Sequence, residues 1–344
     1  MLTKKDRLHM ALQGKKTDRP PCICPGGMMN MVTQELQERT GIFLPSAHTD
    51  ARMMADLAKA VVAEGCFENL GVPFCMTCEA EALGASVTLG NTIYEPHVTH
   101  YPLKSVEDMD ILTPIDVTKG RTRVVLDAIR LLKEETLDLP IIGNLTGPVS
   151  TASSVMEPVI YYKELRKKPE ASHAYMDFIT DQLICMGLAE IRSGADIIAI
   201  SDPSGTGEIL GPKYFKDYAV TALNRMIDAF HEAGAQVIVH ICGHMNYVYE
   251  EIALVRSDAL SFDSAVSMKE ARSHLKDRVL MGNISTYAIE FATPDRIHTL
   301  TRAAIKNGSD IISPACGLGM KSPLENVCAA LSYLKEQEEE KCQN

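Results

Sequence analysis

Residues 240–246 read "HICGHMN" and close the apolar run "AQVIVHICG". Side chains two apart on a strand share a face, so His240 and Cys242 converge while Ile241 turns away. An imidazole beside a thiolate is a soft ligand pair suited to zinc. Two ligands do not complete a site, and the remaining chain has to supply a third. A late cysteine, Cys316, stands in "SPACGLGMKSP". Three protein ligands with a fourth position left open mark a catalytic rather than a structural zinc site.

These residues can meet only if the fold brings their segments to one place. Short β-branched runs alternate with longer amphipathic stretches along the whole chain. Eight strand candidates stand out: "PPCIC" (20–24), "FENLGV" (67–72), "LPIIGNL" (139–145), "ADIIAI" (195–200), "AQVIVHI" (235–241), "DALSF" (258–262), "RVLMG" (278–282) and "SDIIS" (309–313). Helical patterns over 121–137, 170–193, 213–233, 294–307 and 323–338 separate most of them. Near-continuous apolar strands between helices indicate a parallel sheet buried on both faces. Eight such units predict a closed (β/α)8 barrel. We read residues 1–344 as one such domain. An N-terminal helical extension, "TKKDRLHMALQG", is capped by Thr3 and stopped by Gly14. The segment 73–120 is too long for one barrel loop and is read as an insertion over one barrel end. Its "ASVTLGNTIYEPHV" predicts a hairpin turning at Gly90–Asn91.

In such barrels the chemistry lies at the carboxyl ends of the strands. Here those ends carry "CPGGMMNM", "NLTGPVS", "SDPSGTG", "HICGH", Asp263, "GNIS" and "SPACGLGMKSP", so Cys316 falls at the mouth with His240 and Cys242. The competing reading makes His240 a hydrogen-bonded core histidine and Cys242 a small buried hydrophobe.

Composition narrows the partners. The 344 residues are 46% hydrophobic with a net charge of −11, which disfavours nucleic acid and anionic membranes. No apolar run approaches a membrane span. The start lacks the apolar centre of a secretion signal, so a cytoplasmic protein with reduced thiols is expected despite its ten cysteines. The tail "EQEEEKCQN" reads as a solvated helix end.

At this point a resemblance becomes specific. "HICG", "GADIIAISDPSGTGEILGPKYF", "IIGNLTGPVSTAS", "MGNIS" and "SPACGLGMKSPLENV", together with "DRPP" and "LPSAHTDARMMADLA", resemble the zinc- and corrinoid-dependent methylcobamide:coenzyme M methyltransferases. That family shares the barrel of uroporphyrinogen decarboxylase. The resemblance implies zinc held by His240, Cys242 and Cys316, with Asp263 as an exchangeable fourth ligand where the family has a longer acid. It also implies a corrinoid (cobalamin) cofactor carried by a partner protein. A zinc-bound acceptor thiol would take a methyl group from cobalt, forming a thioether and leaving reduced cobalt. The thiol, such as coenzyme M, is the reading adopted. The alternative is an O-demethylase component that passes the methyl of a methoxylated aromatic to Co(I). Two other readings are a metal-free uroporphyrinogen decarboxylase-like lyase and a non-catalytic barrel tied by zinc. The decarboxylase's Arg-rich stretch for substrate carboxylates is missing, and "CPGGMMNM" stands in its place.

The remaining candidates are assigned to a substrate or corrinoid pocket: Met28, Met29, Asn144, Asp202 and Glu81. Met28, Met29 and Met31 alternatively form the inner stripe of a helix starting near Asn30. Asp202 either orients substrate or caps the following turn. His244 is expected in a turn or behind the ligands. Cys75 and Cys78 in "CMTC" have redox or zinc-ribbon spacing but no second pair, and packing is their expected role. Packing is likewise expected for Cys22, Cys24, Cys185 and Cys328.

Overall fold

The computed structural model describes residues 2–343, so Met1 and the tail residue Asn344 lie outside the described residues. Its strands are β1 (Leu70–Val72), β2 (Ser86–Thr88), β3 (His97–His100), β4 (Ile141–Thr146), β5 (Ile197–Ser201), β6 (Gln236–Ile241), β7 (Ala259–Phe262) and β8 (Val279–Met281). Six of them form one parallel sheet in the order β1-β4-β5-β6-β7-β8. Every residue of β4 and β5 is buried, as their unbroken apolar runs require of a sheet covered on both faces.

The two remaining expected strands, 20–24 and 309–313, are narrower than predicted. They form single-residue parallel bridges, Met281 to Ile311 and Cys22 to Ile312. Those bridges carry the sheet on past β8. The Ile23 N–H donates to the Ile312 carbonyl at 2.9 Å and the Ile312 N–H to the Pro21 carbonyl at 2.9 Å. The Glu68 N–H then reaches the Cys22 carbonyl at 2.9 Å, just ahead of β1. The fold is an α/β barrel, with helices covering a parallel sheet whose two ends meet through these bridges.

Glu68 fastens this junction with its side chain as well. Its carboxylate accepts from Arg19 (2.7 and 2.8 Å), Arg7 (3.1 Å) and the Cys22 N–H (3.0 Å), all buried. Arg19 is the arginine of "DRPP". The cations hold the Glu68 carboxyl below its ordinary range although burial opposes them.

The N-terminal helix, Lys4–Leu12, begins where the Thr3 hydroxyl accepts the Asp6 N–H, and the chain turns away through Gly14 at φ +65°. The insertion leaves the carboxyl end of β1. It contains the short helix Cys78–Ala82 and the antiparallel pair β2–β3. The reversal lies slightly later than Gly90–Asn91: Asn91 Oδ1 accepts the N–H groups of Ile93 and Tyr94, and the Asn91 N–H closes onto the Tyr94 carbonyl. No helix among the described residues is long and apolar enough to cross a membrane.

Candidate metal centre

Sheet register sets the imidazole. His240 lies opposite Ser201 on β5 and Ser261 on β7. The Ser261 hydroxyl is 2.9 Å from His240 Nδ1, which leaves Nε2 facing the barrel mouth, 3.2 Å from Cys242 Sγ. Cys242 follows β6 directly, and Gly243 at φ +76° turns the chain away behind it.

Cys316 arrives from the other side of the ring. The Ala315 N–H is bound by the Ile284 carbonyl at 2.8 Å and the Leu318 N–H by the Asn30 carbonyl at 2.9 Å. Between them Gly317 passes so close to residue 28 that a Cβ would lie 2.4 Å from the Met28 carbonyl oxygen. Only a glycine permits that approach. Cys316 Sγ thereby comes within 3.5 Å of Cys242 Sγ.

Among the described residues, His240, Cys242 and Cys316 are the group of potential metal ligands whose donor atoms converge within 4.8 Å. Ideal tetrahedral zinc, with bonds of about 2.3 Å to sulfur and about 2.05 Å to nitrogen, separates S from S by about 3.8 Å and S from N by about 3.6 Å. The observed 3.5 and 3.2 Å fall a few tenths short of those separations. The donor set therefore fits zinc. The two thiols share a proton unequally. The hydrogen bond from Cys242 holds the Cys316 thiol down to about 5, with His240 assisting against burial. Cys242 is pushed well up by the same bond, by burial and by the Cys316 charge, with Asp263 adding to the push.

The other sequence candidates are distributed differently. Asp263 stands beside Cys242 but outside the converging trio. Its Oδ1 accepts the Ala265 N–H at 2.8 Å, and its carbonyl accepts from Asn283 Nδ2. Met29 is fully buried rather than lining a pocket, while Met28 is partly exposed. The expected helix near Asn30 starts later, at Gln34, behind a Thr33 cap. Asn144 is buried and donates to the carbonyls of Pro25, Val72 and Ile142, so it pins the "CPGG" turn. Its Oδ1 has no partner.

Asp202 acts as a cap, but of an earlier helix and not of the turn that follows it. Its carboxylate accepts the N–H groups of Val149 (3.1 Å) and Ser150 (2.7 Å) and the Ser150 hydroxyl (2.6 Å), at the start of helix Pro148–Val155. Glu81 is paired with Arg121 at 2.5 Å. His244 is exposed and outside the trio.

Two residues near the mouth escaped the sequence reading. One is Ser261, whose alignment with His240 follows from strand register across 21 positions. The other is Glu95 of the insertion. It is bound by Asn30 Nδ2 at 3.4 Å, and burial raises its carboxyl pKa. With Gly317, Leu318, Gly319, Met320, Tyr287 and Phe291 it helps to line a cavity of about 450 Å³. A larger cleft of about 650 Å³ opens at the amino ends of the strands, between Gly14–Pro20 and Arg272–Val279. None of the trio borders it, and that end of a barrel serves stability.

Comparison with known proteins agrees with this geometry. The family model for uroporphyrinogen decarboxylase (URO-D) matches residues 3–337. The methylcobamide:CoM methyltransferase MtbA of Methanosarcina acetivorans is 31% identical, covering 94% of this chain and 95% of that protein. A methylated-thiol–coenzyme M methyltransferase of Methanosarcina mazei is 29% identical over 97% of this chain and 90% of its own length. The solved structure of a methyltransferase from Methanosarcina mazei superposes with a TM-score of 0.90 at 29% identity, covering 98% of this chain and 99% of that one.

Proposed function

The chain belongs to the uroporphyrinogen decarboxylase family, and from that premise we propose that it is a zinc- and corrinoid-dependent methyltransferase. It moves a methyl group between the cobalt of a corrinoid protein and a small thiol of the coenzyme M class. The observation that carries this reading is the convergence of His240, Cys242 and Cys316 within 4.8 Å at the carboxyl ends of the strands. The names of the two methyltransferase relatives support it: both transfer to coenzyme M, one from a methylcobamide and the other from a methylated thiol.

His240, Cys242 and Cys316 would hold the zinc, with Asp263 as the exchangeable fourth ligand. When bound, zinc supplies Lewis acidity that keeps an acceptor thiol in its thiolate form at neutral pH. The protein's own residues prepare that site. The Ser261 hydroxyl engages Nδ1 and so keeps Nε2 aimed at the two sulfurs. Cys316 already favours its thiolate, so only Cys242 has to surrender a proton to complete the ligand set. Asn283 holds the turn that carries Asp263 through the carbonyls of Asp263 and Val266, both at 2.8 Å. The partly buried cavity beside Gly317 admits a small acceptor from the insertion side.

The test is direct. Purified protein is assayed for zinc, then mixed with methylcobalamin and a panel of thiols while the cobalamin spectrum is followed. The expected result is about one zinc per chain and a thiol-dependent loss of the methylcobalamin spectrum, both removed by Cys316→Ala. Full zinc occupancy in Cys316→Ala refutes the ligand assignment. Methylation of Co(I) from a methoxyarene, with no thiol turnover, overturns the acceptor.

A further inference from the structure

A second cluster of reactive side chains lies outside the metal trio, in the insertion beyond β1. Cys75 and Cys78 place their sulfurs 3.8 Å apart, in contact but unbonded. Cys75 Sγ accepts from Arg121 Nη1 at 3.2 Å and from the Thr77 hydroxyl at 3.6 Å. Arg121 is itself fixed by Glu81 (2.5 Å) and Thr77 (2.9 Å), so its charge is committed to this spot. Beside Cys75 stands His48, 1% exposed, whose ring nitrogens find no well-aligned hydrogen-bond partner, the Cys75 sulfur being the polar group they approach. A buried imidazole with two poorly partnered polar atoms is costly unless it has a use.

We propose that Cys75 and Cys78 form a peroxide-reactive dithiol, with Cys75 as the attacking sulfur, Cys78 as the resolving sulfur and His48 as the proton source for the leaving oxygen. The co-reactant is a small hydroperoxide. The Cys75 thiolate attacks one peroxide oxygen, the O–O bond breaks, and the departing hydroxide takes a proton from His48. Cys75 is now a sulfenic acid. The Cys78 sulfur then attacks the Cys75 sulfur, forming the S–S bond and breaking the S–O bond, and the departing hydroxyl takes the Cys78 proton to leave as a second water, while His48 regains its proton from solvent. Two thiols are oxidised to one disulfide and one hydroperoxide is reduced.

The arrangement is asymmetric in the sense this chemistry needs. The bond from Cys78, together with His48 and Arg121, holds the Cys75 thiol well below its ordinary value despite burial, whereas Cys78 is pushed well above. A low-pKa attacking thiol beside a protonated partner is the signature of a reactive pair. The inference does not depend on the methyl-transfer reading. Cys66 and Cys328, whose sulfurs touch at 2.7 Å elsewhere in the chain, serve as an internal reference in the same sample.

The experiment treats the protein as purified with stoichiometric hydrogen peroxide, quenches with an alkylating reagent, and maps every cysteine by peptide mass. The expected product is a peptide two hydrogens lighter, carrying the Cys75–Cys78 disulfide and restored by a thiol reductant. Cys78→Ser should stop at Cys75 with one added oxygen, and Cys75→Ser should leave Cys78 unmodified. Arg121→Met should slow oxidation of Cys75 at pH 7 by up to about thirtyfold, the limit reached if the thiol returned fully to about 8.5, with Cys78 and His48 retaining part of the thiolate. His48→Phe should slow the first step with Arg121 intact. Free, alkylatable Cys75 and Cys78 in a sample whose Cys66 and Cys328 have oxidised would overturn the proposal. So would a second zinc per chain that disappears in Cys75→Ser, because a metal would then own the dithiol.

Discussion

Zinc binding should release one proton per site near neutral pH, not two. Metal ligation requires both cysteines as thiolates and the imidazole neutral. With Cys316 held down to about 5, its thiol is already ionised at pH 7.5, whereas Cys242 is pushed up and keeps its proton. Two independent thiols of ordinary pKa, about 8.5, would together release about 1.8 protons at that pH. The same difference appears in affinity. Between pH 7 and 8 the zinc Kd should fall about tenfold for the shared-proton pair, against about sixtyfold for two ordinary thiols. The slope should steepen below pH 5, where Cys316 also takes up a proton.

Calorimetric titration of the metal-free protein with zinc, in two buffers of different ionisation enthalpy, counts the protons directly. Cys242→Ala should bind weakly and release up to about one proton, because Cys316 loses the hydrogen bond that holds its thiol down. Cys316→Ala should also bind weakly but still release about one, from a Cys242 relieved of its neighbour. A count near two for the unmodified protein, or a sixtyfold change in Kd, refutes the proton-sharing argument.

Other consequences follow from single contacts. Ser261→Ala frees His240 Nδ1 and should weaken zinc binding by about 10–100-fold in a chelator competition, with little change in Tm; unchanged affinity would deny Ser261 its orienting part. Gly317→Ala drives a Cβ against the Met28 carbonyl oxygen and should cost about 1–3 kcal/mol in denaturant unfolding, together with weaker zinc binding because Cys316 is adjacent. Glu68→Gln removes the buried counter-charge that Arg7 and Arg19 share, leaving Arg7 to Asp18 and Arg19 to Glu338, and should cost up to about 3 kcal/mol. Since the folded state lowers the Glu68 pKa, its contribution is full above the ordinary value of about 4.3 and is lost as pH falls through the folded one. The stability gap between the unmodified protein and Glu68→Gln should therefore close in acid, and a gap independent of pH would count against the ion-pair account.

The sequence revealed most where one residue pattern had one physical meaning. Apolar runs such as "ADIIAI" became fully buried strands because nothing else satisfies both their faces. The runs at 20–24 and 309–313 shrank to bridges. They abut Pro20, Pro21 and Pro314, which have no N–H to donate to a ladder. The methionine stripe of 28–31 looked helical by spacing. Gly26 and Gly27, at φ +104° and +60°, turn that chain instead, and Asn30 Oδ1 bonds the Val32 N–H at 3.0 Å until Thr33 caps a helix. Asp202 was equally good as a substrate anchor or a cap by type alone, and only the approach of Val149 and Ser150 distinguishes them. Ser261 was hidden because a serine on a strand is common. Its importance lies in register with a histidine on the neighbouring strand, and a one-residue slip would turn it to the other face.

The metal trio also explains why the junction of the barrel is built so firmly. His240 lies on β6, in the middle of the six-stranded sheet, and Cys242 follows directly at its end, while Cys316 hangs beyond the bridges at Ile311 and Ile312, where the ladder is thinnest. The position of its sulfur depends on the Ile284, Met28 and Asn30 contacts, and these depend on the first extended segment being seated against Glu68. A weak junction would let the two halves of the ligand set drift by more than the few tenths of an ångström that zinc tolerates. The buried Arg19–Glu68–Arg7 cluster, remote from the mouth, therefore acts on the site through the segment it anchors. The reverse holds by linkage: an ion that binds only the assembled trio stabilises the closed ring by about 4 kcal/mol at a thousandfold excess over its Kd. Site and closure are thus coupled, with Cys316 as the residue through which each reads the other.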